Sequence, residues 1–359
     1  MKKVYMLLTN GFDPDTRVYK EAQYLIKKGY SVEIICWDRS CDYENEQNIE
    51  IDGILIKRFP IKAVAGTGFR QINGFYKFSK KVKEYFRNIN FEYIHIHDFD
   101  GMMIAFLANA LKNKVIFDMH EIYEGYSYAK LGFVYRMVFN FFQKKSFKMI
   151  HVNDEQKNKI KDKYKNKLVF LPNYPEQKYF NPIKKEKENT ISYIGYIRDY
   201  RALSYLLDCS NELSEYSIGL FGNGTELNRL KNEYGNNRNV LFYGKFDGIK
   251  DISKIYRNTK ILYCVYDENN KNYKLSYPVK LFESIITYTP VIVNKETAQG
   301  TFVSKYQIGE TVDLNDKYSL IDAVNKIKSD YETYITNIKK ISNAFSWESV
   351  VVNLDEIYK

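Results

Sequence analysis

The segment Tyr277-Pro-Val-Lys-Leu-Phe-Glu283 has residue types at spacings that suit the binding of a nucleotide. Pro278 fits the first turn of a helix, because its missing N–H would have no partner there in any case. A helix that starts here offers free N–H groups and a positive dipole to phosphate oxygens, and Lys280 adds charge. Glu283 could accept hydrogen bonds from the paired hydroxyls of a ribose. An ordinary amphipathic helix with a solvated Lys280 and Glu283 explains this segment alone equally well.

A second segment, Gly195-Tyr-Ile-Arg-Asp-Tyr-Arg201, directly follows a predicted strand. Gly195 lets the backbone turn tightly beside a ligand. Arg198 and Arg201 lie at the start of the next predicted helix, where two guanidinium groups could neutralise a leaving diphosphate. Surface arginines are the alternative interpretation, but their position at a strand end favours a ligand.

A third segment, Phe221-Gly-Asn-Gly224, also lies at the end of a predicted strand. Gly222 and Gly224 predict a tight turn that lines a cleft expected between the two halves of the chain. A GxG motif is weak evidence by itself. The complete GxGxxG fingerprint is absent after the first strand of a domain, which argues against NAD binding.

Polar residues also follow strands in the first half of the chain. Gly11 would let the backbone approach a phosphate, although an ordinary turn explains it equally well. His97 and Asp98 end one strand and His120 follows the next, but histidines at such positions are more often structural residues than ligands. Asp98-Phe-Asp100 offers two carboxylates to a metal diphosphate, yet a metal site needs more oxygen ligands than the sequence supplies. We therefore predict no metal site.

The elements that hold these residues alternate between strands and helices, which predicts an α/β fold with parallel sheets and helices on both faces. The 359 residues suffice for two domains. The pattern breaks at residues 172–190, where prolines and a charged stretch predict a linker. The first domain is then 1–172 and the second 190–342, with a cleft expected between them. The predicted strands are 4–9, 32–37, 54–59, 93–97, 114–117, 191–195, 217–221, 240–243, 261–266 and 291–293.

Composition adds a charge argument. The 54 Lys and Arg exceed the 44 Asp and Glu, and the net charge of +10 favours an anionic partner. The 33 tyrosines look partly like base-composition bias and are discounted as a functional signal. Four scattered cysteines without a CxxC pair indicate free thiols, and no apolar window is long enough to span a bilayer, which together predict a cytoplasmic protein.

A membrane surface is the anionic partner that the charge distribution favours. A predicted apolar helix at 131–149 is followed by six lysines within 157–167. The helix and this basic run could lie together on the inner face of the plasma membrane. A buried helix followed by a solvated one is the alternative. Nucleic-acid binding is disfavoured, because no known nucleic-acid-binding module is evident.

Taken together, these motifs resemble those of glycosyltransferase family 4, and the resemblance covers nearly the whole chain. In the first half it rests on Asp15-Thr-Arg-Val-Tyr-Lys-Glu-Ala22, His95-Ile-His-Asp98 and Asp118-Met-His-Glu121. In the second half it rests on Tyr193-Ile-Gly-Tyr-Ile-Arg198, Gly222-Asn-Gly224 and Pro278-Val-Lys-Leu-Phe-Glu283 with Pro290-Val-Ile292. Each motif is modest, but their order and spacing together are specific.

The resemblance implies a GT-B fold of two facing Rossmann-like domains. It implies that a sugar is transferred with retention from a nucleotide diphosphate donor, most simply a UDP-sugar, without a metal or other cofactor. The second domain would bind this donor. The first would bind a glycan or lipid-linked acceptor in the assembly of bacterial cell-surface polysaccharide or glycolipid. Phe345-Ser-Trp347 is similar to the start of the family's returning helix, so residues 343–359 are expected on the first domain.

The resemblance also implies residue roles. Glu283 matches the family's ribose-binding glutamate, Arg201 the diphosphate-binding lysine, and His120 the histidine beside the transferred sugar. The implied sets are His120, Glu283 and Arg201 for catalysis; Gly11, Gly195, Arg198, Arg201, Gly222, Gly224, Pro278, Lys280 and Glu283 for the donor; and Arg17, His97 and Asp98 on the acceptor side.

The chain departs from the family pattern at two positions. Tyr196 occupies the usual arginine position, so Arg198 is expected to substitute for that arginine. Leu275 stands where the first of two glutamates is often found, eight residues before Glu283, so residues 272–276 are expected to contact the sugar instead.

Two other functions stay open on the sequence. A GT-B nucleotide-sugar epimerase would share the donor site and need no acceptor. A non-catalytic nucleotide-sugar binding protein is motivated by Leu275.

Overall fold

A computed structural model describes residues 2–13, 15–63, 71–120, 123, 131–180, 187–248, 250–267 and 271–358, without the side chains of 271 and 272. The chain forms two compact units, Met1–Pro172 with Val350–Lys359, and Asn173–Ser349. The sequence prediction placed the return to the first unit at 343 and left 173–189 as a linker. Chain contacts instead assign 173–189 to the second unit and begin the return at Val350. Residues 181–186 of the predicted linker lie outside the described residues.

Within the described residues, the first unit contains an eight-stranded sheet in the order β3-β4-β2-β1-β5-β6-β7-β8. Its strand pairs are parallel except for the antiparallel β3–β4 hairpin, which the sequence did not predict. The strands are β1 Lys3–Leu8, β2 Ser31–Asp38, β3 Asn48–Ile51, β4 Ile54–Pro60, β5 Tyr93–His97, β6 Lys114–Asp118, β7 Lys148–His151 and β8 Leu168–Phe170. The helices are α1 Thr16–Lys27, α2 Ile72–Tyr85, α3 Asp98–Leu107, α4 Phe133–Lys145 and α5 Asp154–Lys159.

Helix α1 begins and ends where its sequence supplies the right groups. The Asp15 side chain accepts hydrogen bonds from the backbone N–H groups of Arg17 and Val18, which satisfies donors that the first turn leaves free. Gly29 follows the last turn at φ +87, and its N–H donates to the carbonyl of Ile26. The apolar residues at helical spacing are buried, so α1 lies on the sheet with its polar residues Arg17 and Glu21 also facing inward.

The predicted helix at 131–149 is wrong in its second part. Helix α4 ends at Lys145, and Lys148 starts strand β7. The run of lysines that follows is partly structural, because Lys167 Nζ donates to the carbonyls of Gln143, Lys144 and Ser146 at the C-terminus of α4. Among the described residues, no helix is long and apolar enough to cross a membrane.

The last residues of the chain pack against the first unit. Leu354 and Ile357 are fully buried, and the Tyr358 ring contacts the rings of Tyr30 and Tyr93. Lys28 Nζ lies 2.7 Å from an Asp355 oxygen. The end of the chain forms 3₁₀ turns at Ser342–Phe345 and Val351–Glu356 and a four-residue α-helix at Trp347–Val350, and not the single long helix that was expected over 343–359.

In the second unit, the described residues form a six-stranded parallel sheet in the order β11-β10-β9-β12-β13-β14. Strand β14 was not predicted, and β12 is shorter than predicted. The strands are β9 Thr190–Ile194, β10 Ser217–Phe221, β11 Val240–Gly244, β12 Ile261–Tyr263, β13 Val291–Asn294 and β14 Gly309–Val312. The helices are α6 Tyr200–Asp208, α7 Leu227–Tyr234, α8 Ile252–Asn258, α9 Lys271–Leu275, α10 Val279–Ile286, α11 Ala298–Tyr306, α12 Lys317–Ser329, α13 Tyr331–Ile341 and α14 Trp347–Val350.

The burial of the C-terminal residues gives a stability prediction. Leu354→Ala leaves a cavity in a fully buried site, so we expect a loss of about 2–5 kcal/mol in the free energy of unfolding of the first unit. Val352, which is 54% exposed, provides the matched control as Val352→Ala. Thermal unfolding followed by circular dichroism should show a lower melting temperature for the first variant only. Equal melting temperatures for both variants would contradict this packing.

Candidate functional site

Two glycine-containing turns interlock at the carboxyl ends of β9 and β10. Gly195 and Gly222 have φ values of +145 and +141, which favour glycine. A Cβ atom on Gly222 would lie 1.8 Å from the Gly195 carbonyl oxygen, and one on Gly224 would lie 2.0 Å from that of Ile197. The turns are joined by backbone hydrogen bonds from Gly195 N–H to the Phe221 carbonyl and from Ile197 N–H to the Asn223 carbonyl. Only glycines fit here, and they leave bare backbone at the edge of the sheet.

Helix α10 begins beside the Gly195 turn. Pro278 is the N-cap, so the prediction that it lies in the first turn is off by one residue and Val279 is the first helical residue. The first N–H groups of a helix have no partners within the helix. They and the positive end of the helix dipole provide a site for anionic oxygens.

The Lys280 side chain crosses from α10 to the Gly195 turn. Its ammonium nitrogen lies 4.1 Å from the centre of the Tyr193 ring and 5.3 Å from that of Tyr266, within cation–π range. A Cβ atom on Gly195 would come within 2.9 Å of the same nitrogen. Desolvation lowers the pKa of Lys280. A phosphate placed here would offset that desolvation.

Glu283 lies one turn further along α10, where it is half-buried. One carboxylate oxygen accepts a hydrogen bond of 2.9 Å from the hydroxyl of Tyr256, a fully buried residue of α8. Burial and the nearby Glu283 carboxylate hold the pKa of Tyr256 well above its ordinary value, so Tyr256 stays a hydrogen-bond donor. Tyr256, which the sequence did not single out, therefore orients Glu283.

The two arginines of the Gly195 segment have different surroundings. Arg198 precedes α6 as an exposed side chain, and its guanidinium lies 5.5 Å from the centre of the Tyr273 ring. Arg201, in the first turn of α6, hydrogen-bonds to Asp267 at 3.2 Å and to Asn315 at 2.8 Å. The expected position of Arg198 at the start of the helix is therefore wrong, and Arg201 is already engaged by two neighbours.

In the first unit, Asp118 is the centre of a buried charged cluster. Arg17 Nε and Nη2 donate to its two carboxylate oxygens at 3.0 and 2.8 Å, and Arg17 Nη1 donates to the Leu171 carbonyl. Burial opposes ionisation of Asp118, but Arg17 and His120 hold its pKa well below its ordinary value. A two-point pair of this kind fixes both side chains, and removal of either partner would leave an uncompensated charge.

His120 connects this cluster to Asp98. Its Nε2 atom lies 3.1 Å from an Asp118 oxygen and 3.0 Å from His97 Nδ1, and its Nδ1 atom lies 3.4 Å from an Asp98 oxygen. Burial alone would lower the pKa of His120, but the Asp98 and Asp118 carboxylates outweigh it and raise that pKa to about 10. Burial and His95 lower the pKa of His97 to about 3, so His97 is neutral. The predicted acceptor-side residues Arg17, His97 and Asp98 thus meet around His120.

Three further residues complete the cluster and were not assigned a role by sequence reasoning. The Tyr358 hydroxyl lies 2.8 Å from His95 Nδ1, and His95 Nε2 lies 3.7 Å from a Glu21 oxygen. Glu21 also lies 3.2 Å from Arg17 Nε. Glu21 could have been found from the sequence, because it lies one helical turn after Arg17. Tyr358 could not, because it comes from the far end of the chain.

The cluster also has the residue types of a metal site. Donor atoms of Glu21, His95, His97 and Asp118 lie within 4.8 Å of one another. The Arg17 guanidinium, however, already holds both carboxylates, and its positive charge would oppose a cation between them. We therefore assign Asp118 to an ion pair with Arg17, beside neutral His97 and a Glu21 whose pKa burial raises. The two aspartates of Asp98-Phe-Asp100 also diverge, because Asp100 faces Arg39 at 4.0 Å.

Gly11 is held by a residue that sequence reasoning missed. Arg58 is buried, and it donates hydrogen bonds to the carbonyls of Gly11 at 2.9 Å and Phe12 at 3.1 Å. A Cβ atom on Gly11 would make only ordinary contacts, the nearest with Tyr43 at 3.5 Å. The Gly11 turn is therefore fixed by Arg58 and not by a steric need for glycine.

The burial of Glu21 gives a pH-dependent prediction. Burial and the Asp118 carboxylate raise the pKa of Glu21 from 4.5 to about 8. Between these values the folded chain holds a proton that the unfolded chain has released. The Glu21 contribution to stability is therefore complete below about 4.5 and is lost as pH rises towards and through 8.

Glu21→Gln removes this titration. We expect the melting temperature of the variant, relative to the unmodified protein, to rise steadily between pH 5 and pH 8. Glu356→Gln, at an exposed position in the same unit, should show a constant difference. A pH-independent difference for Glu21→Gln would contradict the assignment.

Comparisons with known proteins identify the family. Residues 15–174 match the model of Glycosyltransferase Family 4, and residues 175–343 match that of Glycosyl transferases group 1. No curated protein matches the sequence significantly.

Solved structures show the same fold at low identity. Sucrose-phosphate synthase from Thermosynechococcus elongatus has a TM-score of 0.79 at 15% identity, over 100% of this chain and 98% of its own. HepE of Anabaena in complex with UDP-glucose has a TM-score of 0.71 at 14% identity, over 99% of both chains. WaaG, a glycosyltransferase involved in lipopolysaccharide biosynthesis, has a TM-score of 0.68 at 12% identity, again over 99% of both chains.

The expected α/β fold is thereby confirmed as GT-B, with two mostly parallel sheets. The two family matches together span 15–343 and meet near the boundary between the two units. The chain belongs to glycosyltransferase family 4, and the protein is a glycosyltransferase.

Proposed function

We propose that this glycosyltransferase transfers a sugar from a UDP-sugar, with retention at the anomeric carbon, to a glycan or lipid-linked acceptor. The observation that carries the proposal is the bare backbone of the Gly195 and Gly222 turns, with Lys280 and Glu283 of α10 alongside. HepE of Anabaena, which has the same fold, was crystallised with UDP-glucose, and this supports the choice of nucleotide.

The diphosphate of the donor would lie between α10 and the Gly195 turn. Free N–H groups at the start of the helix, the helix dipole and the Lys280 ammonium would stabilise the charge that develops as the nucleoside diphosphate departs. Exposed Arg198 can reach out from the same turn, whereas Arg201 would have to exchange Asp267 or Asn315 for phosphate. Arg198 is thus the better candidate for the second cation.

The ribose would be bound by Glu283. A carboxylate that already accepts a hydrogen bond from Tyr256 has one orientation, so less freedom is lost when a ribose hydroxyl donates to it. Tyr273 lies in the segment that replaces the family's first glutamate, and its ring is 4.9 Å from that of Tyr266. This segment would face the transferred sugar.

Retention would follow if the acceptor hydroxyl attacks on the face that the diphosphate leaves. The departing phosphate oxygen can then accept the proton of the hydroxyl, so no enzymic nucleophile is required. His120 of the first unit would lie beside the transferred sugar, and Gly11 beside the diphosphate. Positive groups of the protein would supply the electrostatic stabilisation in this scheme, and no metal is needed for it.

The role of Glu283 is tested by Glu283→Ala. Loss of hydrogen bonds to a charged group costs about 1.5–3 kcal/mol, so we expect donor affinity to fall by at least tenfold and transfer to be nearly abolished. Glu332→Ala, at an exposed position of the same unit, is the control. Calorimetry with UDP and a transfer assay provide the measurements. Full transfer activity in Glu283→Ala would refute the site assignment, and a new sugar isomer formed from donor alone would favour the epimerase alternative.

We further propose that the protein works at an anionic membrane surface on the cytoplasmic side, where lipid-linked acceptors would be found. The first half of α4 exposes Phe133, Val134 and Met137, which are 72%, 50% and 55% exposed. Exposed Arg136 lies among them, and Lys144 and Lys145 lie at the end of the same helix. An apolar strip next to basic side chains is typical of helices that lie in a membrane interface.

Vesicle flotation tests this surface. We expect the protein to bind vesicles that contain phosphatidylglycerol and to bind at least tenfold less after Phe133→Asp with Met137→Asp. Tyr318→Asp alters an equally exposed side chain of the second unit and should leave binding unchanged. Equal binding of all three proteins would exclude the α4 surface as the membrane contact.

A further inference from the structure

Asp98 has an unusual backbone conformation for a residue that is not glycine. It follows strand β5 directly, with φ at +64, in the left-handed region. An ordinary residue adopts this region only at an energetic cost, although aspartate and asparagine tolerate it better than most. Such a conformation persists only where the surrounding structure holds it.

The contacts of Asp98 show what that conformation achieves. One carboxylate oxygen accepts a hydrogen bond from the Tyr123 hydroxyl at 3.0 Å and one from the His120 backbone N–H at 3.3 Å. The other oxygen lies 3.4 Å from His120 Nδ1. The same side chain therefore contacts both the backbone and the ring of His120.

The opposite nitrogen of the His120 ring faces a second carboxylate. His120 Nε2 lies 3.1 Å from Asp118, which Arg17 fixes at two points. His97 Nδ1 lies 3.0 Å from the same Nε2 and 3.3 Å from the Asp118 carboxylate. The ring is thus held between two carboxylates from different elements, α3 and β6, and both of its nitrogens act as donors.

We propose that Asp98 is a positioning residue for His120: with Asp118 it fixes the imidazole in one orientation, so that His120 serves the transfer reaction as a fixed cation and not as a proton acceptor. The resemblance implied a place for Asp98 on the acceptor side, and the positioning role is proposed in addition to that expectation. The inference rests on the proposed function for the part that concerns transfer. The charged and titratable groups around the ring are Asp98, Asp118, His95, His97, Asp15, Arg17 and Glu21.

NMR of the imidazole carbons tests the positioning without an activity assay. The chain has only four histidines, and His120→Gln identifies the His120 signal. In the unmodified protein we expect His120 to stay charged throughout pH 6–8.5. Asp98→Asn keeps the side-chain shape and suits the left-handed backbone, and it should lower the pKa of His120 by at least one unit. Asp100→Asn removes the same charge two residues away and should leave that pKa unchanged.

A shift in the pKa of His120 that is no larger in Asp98→Asn than in Asp100→Asn would overturn the proposal. So would a His120 that titrates near 6.5 in the unmodified protein.

The catalytic part of the proposal is tested by pH profiles of kcat. In Asp98→Asn, kcat should fall at alkaline pH, because His120 loses its positive charge there. The KM for the donor should change little. A flat profile in that variant would refute the role of the cation. Unimpaired transfer by His120→Gln would instead refute the proposed function of His120, and the NMR result would stand by itself.

Discussion

The contact between the Gly195 and Gly222 turns is the constraint on which the proposed donor site depends. The Gly195 carbonyl lies where a side chain at residue 222 would have to be, and Lys280 lies over the position where a side chain at residue 195 would be. Backbone hydrogen bonds then fix the two turns to each other. The result is a surface of peptide groups with one ammonium above it, next to the start of α10. Such a surface can approach a diphosphate closely because no Cβ atom stands in the way.

The first unit uses a different physical device. Its cluster is buried and highly charged, and it is stable only because every charge has a partner of opposite sign. Arg17 balances Asp118, and His120 is balanced by Asp98 and Asp118 together. The Tyr358 hydroxyl extends the cluster to the last residues of the chain. A network of this kind holds one side chain, His120, at the edge of the cluster, where 18% of the side chain is exposed.

The alternation of apolar runs and helical periods was enough to predict the α/β class, the break between the halves and ten of the strands. The strands it missed, such as Asn48–Ile51 and Gly309–Val312, span no more than four residues, which is too few to establish a hydrophobic period. The glycines and the α10 segment could be found because their chemistry is local in sequence. Tyr256 and Tyr358 could not, since their roles arise from tertiary contacts, and tyrosine was too abundant to stand out.

Binding of UDP to Gly195→Ala, measured by calorimetry, tests the central claim most directly. The added Cβ would come within 2.9 Å of the Lys280 nitrogen and would stand between the backbone and the diphosphate. Gly29→Ala alters another glycine with positive φ, in the first unit, where nothing lies within 4 Å of the new atom, and it controls for backbone strain. We predict that the unmodified protein and Gly29→Ala bind UDP equally, and that Gly195→Ala, still folded by circular dichroism, binds UDP at least tenfold more weakly. Equal affinity in all three proteins would contradict this prediction.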